Sequence, residues 1–220
     1  MSHVVITGAN RGIGLEFCRQ YHAAGLQVTA VCRQASDNLK ALGVNVIEGI
    51  DVSKDADILS LKAQLGDAKI DILVNNAGIL QRDNLDHVPT DSLLEQFKVN
   101  AVGPLQVTIT LLPLLRKGSK VAMITSRMGS MADNGSGGYY GYRMSKAALN
   151  AAGVSLAQDL KAEGIAVALL HPGYVQTDMV GNHGDISAET AAERLIQRIE
   201  GLSVESTGQF RHSNGDDLPW

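Results

Sequence analysis

The chain has few cysteines and no excess of positive charge. Its two cysteines, Cys18 and Cys32, form no Cys-x-x-Cys pair, which argues against a disulfide framework, a cysteine-rich metal site and a dithiol redox centre. Lysine and arginine number 19 against 23 acidic residues, so a nucleic-acid or anionic-lipid surface is not expected. No apolar run approaches the about 18 residues of a membrane span. Because the first apolar run begins at Val4, we expect no signal peptide and a cytoplasmic protein.

Short apolar runs alternate with amphipathic segments along the chain. The predicted strands are 4–7, 27–32, 44–50, 70–74, 120–125, 165–170 and 209–211. The predicted helices are 11–24, 53–65, 90–115, 142–162 and 187–200, with Ser53 and Ser187 as caps and Pro104 or Pro113 as a kink or end of the third. The strands are near-continuous Val/Ile/Leu runs, which is typical of strands covered on both faces. The pattern predicts an α/β fold with a doubly wound, Rossmann-like parallel sheet in three α/β/α layers, formed by one domain over residues 1–220.

Polar or glycine residues directly follow six of these strands. They are Thr7-Gly8, Arg33, Asp51-Val52, Asn75-Asn76-Ala77-Gly78, Ser126 and Pro172-Gly173. In a doubly wound sheet ligands bind at the carboxyl ends of the strands. We therefore expect these residues to line one edge of the sheet and one ligand site.

The first strand runs into a glycine-rich turn, Gly8-Ala9-Asn10-Arg11-Gly12-Ile13-Gly14, which opens a helix. Glycines let a backbone approach a pyrophosphate, and a helix N-terminus offers free N–H groups and partial positive charge. The spacing is G-x-x-x-G-x-G. The alternative is a strand-to-helix turn whose glycines serve geometry alone.

Tyr142 and Lys146 stand four residues apart in a predicted helix and so share a face. A nearby ammonium, together with an oxidised nicotinamide, would favour the phenolate and make Tyr142 a usable general acid or base. Neither Tyr139 nor Tyr140 has a lysine at this spacing. The alternative is a surface tyrosine beside a solvated lysine.

In this order along the chain, the motifs resemble those of the short-chain dehydrogenase/reductase family. The resemblance depends on Thr7-Gly8-x-x-x-Gly12-Ile13-Gly14, Asp51-Val52, Asn75-Asn76-Ala77-Gly78, Asn100, Ser126, Tyr142-x-x-x-Lys146 and Pro172-Gly173-Tyr174-Val175-Gln176-Thr177. The ending, from Gly208 to Trp220, is similar to the branch of C-factor-like proteins and sniffer-type carbonyl reductases.

The resemblance implies a catalytic set of Asn100, Ser126, Tyr142 and Lys146. Tyr142 would exchange a proton with the carbonyl oxygen, Ser126 would hold that oxygen, Lys146 would bind the nicotinamide ribose, and Asn100 would hold a water. The implied cofactor-binding residues are Gly8, Asn10, Arg11, Gly12, Ile13, Gly14, Arg33, Asp51, Val52, Asn76, Ala77, Gly78, Tyr142, Lys146, Pro172, Gly173, Val175 and Thr177. Asp51 would accept from the adenine amino group, although it could also act as a simple cap before Ser53.

The end of the second strand favours NADP(H) over NAD(H). An acidic residue there would bind the ribose 2′-hydroxyl, whereas an arginine suits a 2′-phosphate. The chain has Arg33 at this point and Arg11 in the glycine loop, with no acidic residue until Asp37. The alternative is that Arg33 is merely solvated.

The sequence allows three functions to be compared. The first is an NADP(H)-dependent oxidoreductase that interconverts a carbonyl and an alcohol, with no metal and an unnamed small-molecule substrate. The second is a non-catalytic nucleotide-sensing regulator or signalling protein of the same fold, against which the complete catalytic set speaks. The third, a nucleotide-sugar epimerase or dehydratase, lacks residues for an added substrate domain. The resemblance also implies a homodimer or homotetramer, because proteins of this family often pair through the helices that correspond to 90–115 and 142–162.

Overall fold

The computed structural model describes residues 2–220 and contains a seven-stranded sheet. In chain order the strands β1 to β7 are His3–Thr7, Gln27–Val31, Asn45–Ile47, Ile70–Asn75, Leu115–Ile124, Ala166–His171 and Phe210–His212. Their spatial order is β3-β2-β1-β4-β5-β6-β7, and every neighbouring pair is parallel. The predicted doubly wound α/β fold is confirmed.

Helices cover both faces of the sheet. The α-helices α1 to α7 are Gly12–Ala23, Asp37–Lys40, Asp55–Leu65, Thr90–Phe97, Gly103–Leu111, Tyr140–Leu160 and Ala188–Glu200. Helices α1 and α7 contact each other on one face, while α5 contacts α3 and α6 on the other. Within β1, Val5 belongs to one apolar core and Val4 and Ile6 belong to the second. A strand that buries both faces needs apolar residues at consecutive positions, which explains the near-continuous apolar runs.

The predicted helix over 90–115 is interrupted and too long. A π-helical turn, Lys98–Val102, separates α4 from α5, and α5 ends at Leu111 before a 3₁₀ turn that contains Pro113. Pro104 has no N–H to donate to the carbonyl four residues before it, at Asn100, and Pro113 cannot continue the ladder. Strand β5 therefore begins at Leu115 rather than at the predicted Lys120.

The two predicted serine caps have different outcomes. Ser187 Oγ accepts from the N–H of Thr190 at 3.1 Å and caps α7 as predicted. The prediction that Ser53 caps α3 is wrong, because α3 begins at Asp55 and the Ser53 hydroxyl donates to Asp51 instead. No helix in residues 2–220 has the length and apolar character needed to cross a membrane.

The sheet order reverses direction between β1 and β4. From β1 the chain continues to β2 on one side, and from β4 it continues to β5 on the other. A crevice opens at the carboxyl ends of strands at such a point. This is the sheet edge at which the sequence places its polar residues.

Candidate active site

A cleft of about 440 Å³ lies at the carboxyl edge of the sheet. Most of the predicted cofactor residues line it, and these are Gly8, Asn10, Arg11, Gly12, Ile13, Gly14, Arg33, Asp51, Val52, Asn76, Ala77, Gly78, Tyr142, Lys146, Pro172 and Thr177. The predicted residues Asn100, Ser126, Gly173 and Val175 do not line the cleft directly. Thirteen lining residues were not among the predicted catalytic or cofactor residues, and they are Val31, Cys32, Ile50, Ser53, Ile79, Glu95, Val99, Ile124, Thr125, Gln176, Asp178, Met179 and Asn182. Many of these immediately neighbour a predicted residue, so the ends of the strands were a usable signal.

The glycine-rich turn is packed against the end of β4. Gly8 has a φ of +66°, and a Cβ built there would lie 2.7 Å from Ala77 Cα. A Cβ on Gly14 would lie 2.2 Å from the carbonyl oxygen of Gly8. The Asn76 side-chain amide holds the turn by donating to the carbonyls of Thr7 and Gly8, both at 3.1 Å. These glycines serve close backbone packing as well as the approach of a ligand.

The N-terminus of α1 faces the cleft without a side-chain cap. Its capping residue, Arg11, makes no side-chain cap hydrogen bond, and its first turn contains no acidic residue. The first N–H groups of a helix have no partner within the helix and carry partial positive charge. A phosphate group therefore fits this end of the cleft.

Arg11 and Arg33 have different surroundings. The Arg11 guanidinium forms an ion pair with Asp178 at 3.1 Å, and both side chains are exposed. Arg33 is exposed, lines the cleft and has no carboxylate within 4.0 Å among residues 2–220. The cleft therefore has one unpaired cation at the end of β2 and a second that is shared with Asp178.

Asp51 is a carboxylate held by the following turn. Its Oδ1 accepts from the Ser53 N–H at 3.0 Å and from the Ser53 hydroxyl at 2.7 Å. Burial favours the neutral acid, but the Ser53 hydrogen bonds and the charges of Arg33 and Lys54 outweigh it and lower the pKa of Asp51. These hydrogen bonds close a turn before α3, which begins at Asp55, so Asp51 is not a cap of that helix. Its place on the cleft wall leaves it accessible to a ligand.

Three of the four predicted catalytic residues form one buried group. Ser126 lies beside the Tyr142 hydroxyl and lowers its pKa, and Ser126 Oγ accepts from the N–H of Met128 at 3.1 Å. Lys146 Nζ lies 5.7 Å from the centroid of the Tyr142 ring and donates to the carbonyl of Ile124 at 2.9 Å. Helix α6 supplies Tyr142 and Lys146, and the end of β5 supplies Ser126.

Burial controls the protonation of this group. It raises the pKa of Tyr142 to about 12, against a smaller lowering by Ser126. It also lowers the pKa of Lys146 to about 8. In the protein alone, desolvation therefore keeps the Tyr142 pKa above its ordinary value. A Tyr142 pKa brought towards neutrality by Lys146 together with an oxidised nicotinamide stays a prediction.

Lys146 should make the stability of the protein depend on pH. A lysine whose pKa falls from 10.5 to about 8 on folding destabilises the fold by roughly 3 kcal/mol below pH 8. That penalty fades as the pH rises from 8 to 10.5, because the unfolded chain then binds more protons than the folded one. In Lys146→Met, urea unfolding should lack this rise. The stability of the wild type relative to the variant should increase by roughly 2–3 kcal/mol between pH 7 and pH 10.

The exposed Lys161 provides the matched control. Lys161→Met should follow the wild-type dependence of unfolding free energy on pH. A constant difference between wild type and Lys146→Met over this range would contradict the assignment of a low pKa to Lys146.

Asn100, the fourth predicted catalytic residue, lies in the π-helical turn and is fully buried. Its side-chain amide accepts from the N–H of Ile79 and donates to the carbonyl of Ile79, both at 2.8 Å. It also donates to Ser145 Oγ at 3.0 Å. These bonds tie the chain after β4 to helix α6. The water that the resemblance implies for Asn100 stays a prediction.

Asp83 positions the first turn of α6, and the sequence analysis missed it. Its buried carboxylate accepts from the N–H groups of Tyr140 and of Gly141, the latter at 3.0 Å. Its carbonyl accepts from the N–H of Tyr139, whose φ of +53° is left-handed. Tyr142 follows directly, so Asp83 fixes the place from which the phenol enters the cleft. No local sequence pattern links positions so far apart in the chain.

Comparison with known proteins gives consistent matches. The family model described as short chain dehydrogenase matches residues 2–188. The 1-hydroxy-2-glutathionyl-2-methyl-3-butene dehydrogenase of Rhodococcus sp. (strain AD45) is 40% identical over 226 residues, which cover 100% of both chains. The C-signal protein of Myxococcus xanthus is 46% identical over 154 residues, which cover 69% of this chain and 93% of that protein.

A solved structure has the same architecture over the whole chain. NADPH-bound carbonyl reductase from chicken fatty liver superposes with a TM-score of 0.90 at 27% identity, covering 100% of this chain and 99% of that one. These matches confirm the resemblance on which the sequence analysis relied.

Proposed function

The chain belongs to the short-chain dehydrogenase family, and from this premise we propose that it is an NADP(H)-dependent oxidoreductase that interconverts a carbonyl and an alcohol. The observation that supports this function is that Tyr142 and Lys146 line the same cleft as the glycine-rich turn, with Ser126 beside Tyr142. A dinucleotide whose phosphates lie at the N-terminus of α1 would place its nicotinamide end near this group. We propose that residues 1–220 form a single domain for both tasks.

In the proposed reaction the cofactor supplies or takes up the hydride. Tyr142 donates its phenolic proton to the carbonyl oxygen during reduction and recovers it during oxidation. Ser126, which lies beside the Tyr142 hydroxyl, donates a hydrogen bond to the same oxygen. Lys146 is held behind the ring by the Ile124 carbonyl, where its charge stabilises the phenolate once Tyr142 has lost its proton.

The remaining residues are proposed to position the cofactor and the site. Thr177, with the Val175 backbone beside it at 3.4 Å, holds the carboxamide. Asp51 and Val52 contact the adenine. Asn100 fixes the turn at Ile79. The remaining predicted cofactor residues line or support the path of the phosphates and ribose. They are Gly8 to Gly14, Asn76 to Gly78, Pro172 and Gly173.

NADP(H) is proposed over NAD(H) because of Arg33. It lines the cleft at the end of β2 without a carboxylate partner, and a guanidinium matches a 2′-phosphate. Arg11 can add a second contact to the 2′-phosphate if its ion pair with Asp178 breaks. The NADPH-bound carbonyl reductase with the same fold supports this choice.

The decisive experiment measures the oxidation of NADPH and of NADH against a panel of aldehydes and ketones, with Tyr142→Phe as the blank. We expect turnover with NADPH, slower turnover with NADH, and none above background in the variant. Rates equal to those of Tyr142→Phe on every carbonyl would reject the function. Faster turnover with NADH would reject the role of Arg33.

A second candidate is a nucleotide-sensing signalling protein. It is favoured by the 46% identity to a protein named C-signal. The two candidates make different predictions for the same panel, because a sensor needs to bind NADP(H) but not to reduce any carbonyl. The first relative, a dehydrogenase of a glutathionyl-bearing hydroxyl compound, favours the enzyme.

The outer surfaces of α4, α5 and α6 are proposed to form a contact between copies of this chain. They expose Leu94, Phe97, Ile109 and Met144, and such groups of exposed apolar residues mark interaction surfaces. Light scattering should give the mass of a dimer or tetramer, and a monomer at all concentrations would refute this proposal.

A further inference from the structure

A second cavity, of about 400 Å³, is lined by Arg127, Met128, Asp133, Gly135, Ser136 and Arg143. Arg127 directly follows Ser126, and Arg143 directly follows Tyr142. The turn Arg127–Gly129 contacts α6, and the Arg143 guanidinium donates to the Met128 carbonyl at 3.4 Å. The two arginines therefore reach one cavity from positions adjacent in sequence to Ser126 and Tyr142.

The charges around this cavity do not balance. Arg127 forms an ion pair with Asp133 at 2.7 Å. Arg143 donates only to uncharged groups, the Gly138 carbonyl at 3.1 Å and Ser136 Oγ at 2.8 Å among them. Within residues 2–220 it has no carboxylate within 4.0 Å. Among the six lining residues, two cations and one anion leave a charge of +1, although the whole chain has a charge of −4.

The loop over this cavity can adapt to a ligand. A Cβ built on Gly135 or on Gly137 would meet nothing within 4 Å, so the loop is not packed against other parts of the chain at these points. Arg143 binds the loop through its side chain. If Arg143 only supported the loop, the cavity would show no preference for a charged ligand. A preference for an anion therefore distinguishes a role in binding from a role in loop support.

We propose that this cavity is a substrate subsite that binds a carboxylate, so that the preferred substrates are carbonyl or alcohol compounds with an anionic group. The inference depends on the proposed function for the identity of the reacting group. Arg143 supplies the free cation, and Asp133 competes with the ligand for Arg127. A partly exposed pair of this kind is expected to favour the anion about five- to tenfold.

Calorimetry with 4-(hydroxymethyl)benzoate and the neutral 4-(hydroxymethyl)benzamide, with and without NADP⁺, tests this subsite. The wild type should bind the benzoate about five- to tenfold more tightly than the amide. Arg143→Gln should bring the ratio close to one. Asp133→Asn should raise the ratio about two- to threefold, because it releases Arg127. The control Arg19→Gln, which breaks an ion pair with Glu16 on α1, should leave the ratio unchanged.

The opposite signs of the two variants separate binding from misfolding, because a damaged loop cannot raise the affinity for the benzoate. Equal affinities in the wild type, no measurable binding of the benzoate, or a lower ratio in Asp133→Asn would overturn the subsite. Reduction of 4-formylbenzamide by NADPH tests the proposed function separately. Tyr142-dependent turnover of this neutral aldehyde with a binding ratio of one would retain the function and reject the subsite. The expected binding ratio without any turnover would retain the subsite and reject the proposed function.

Discussion

Tyr142→Phe should lower the turnover number for carbonyl reduction about 10³-fold, within the range that a positioned general acid contributes. The substitution removes one oxygen and leaves the ring in its buried place beside Lys146 and Ser126. Only the proton that must reach the carbonyl oxygen is lost. The dissociation constant of NADPH, measured by fluorescence titration, should change less than threefold, because the cofactor contacts lie mostly on other residues.

Tyr140 is the matched control, since it lies two residues away in the first turn of α6 and has no lysine four residues on. Tyr140→Phe should retain nearly full turnover. If both variants were equally active, Tyr142 would not be the acid. If Tyr142→Phe lost NADPH binding as well, the loss of turnover would reflect the cofactor rather than proton transfer.

Gly14→Ala should have the largest effect on stability and on cofactor binding together. The new Cβ would lie 2.2 Å from the Gly8 carbonyl oxygen and 2.6 Å from Asn76 Nδ2. Neither atom can move away freely, because the Asn76 amide holds the Thr7 and Gly8 carbonyls. We expect a loss of about 3 kcal/mol in unfolding free energy, the upper end of the cost of overpacking. NADPH binding should weaken at least about 100-fold, because the phosphate cradle is displaced.

Gly201 at the end of α7 provides the comparison. Its φ is −77°, and a Cβ there would make only an ordinary contact with the Gln197 carbonyl at 3.5 Å. Gly201→Ala should leave thermal unfolding within about 2 °C of the wild type and NADPH binding intact. Normal binding and stability in Gly14→Ala would show that the turn can widen, contrary to its packing.

Much of the fold was predictable because burial on both faces of a strand leaves a direct mark on the sequence. Continuous apolar runs marked the central strands but not β7 or the first half of β5, and glycines marked the turn where the backbone of β1 meets that of β4. The helix over 90–115 was harder, since apolar periodicity continues through the π-helical turn. The helix is interrupted there because of Pro104 and because of the hydrogen bonds between Asn100 and Ile79. These hydrogen bonds form only in the folded chain.

The candidate site was predictable in its residue types more than in its electrostatics. Resemblance pointed to Tyr142 and Lys146, but the opposite shifts of their pKa values follow from burial by surrounding elements. Asp83 and Asp178 were missed for a related reason. Asp83 contacts α6 across 58 positions of sequence, and Asp178 contacts Arg11 across 167. Hydrogen-bond and charge partners this far apart in the sequence leave no local sequence pattern.

Asp83 links two segments that lie far apart in the sequence. It belongs to the connection after β4, yet its carboxylate sets the start of the helix that presents the phenol. The loop between residues 130 and 138 enters that same helix start, and a Cβ built on Gly135 would meet nothing within 4 Å. A side chain introduced at Gly135 should therefore change the outer surface of the loop while the anchor at Asp83 keeps Tyr142 in place.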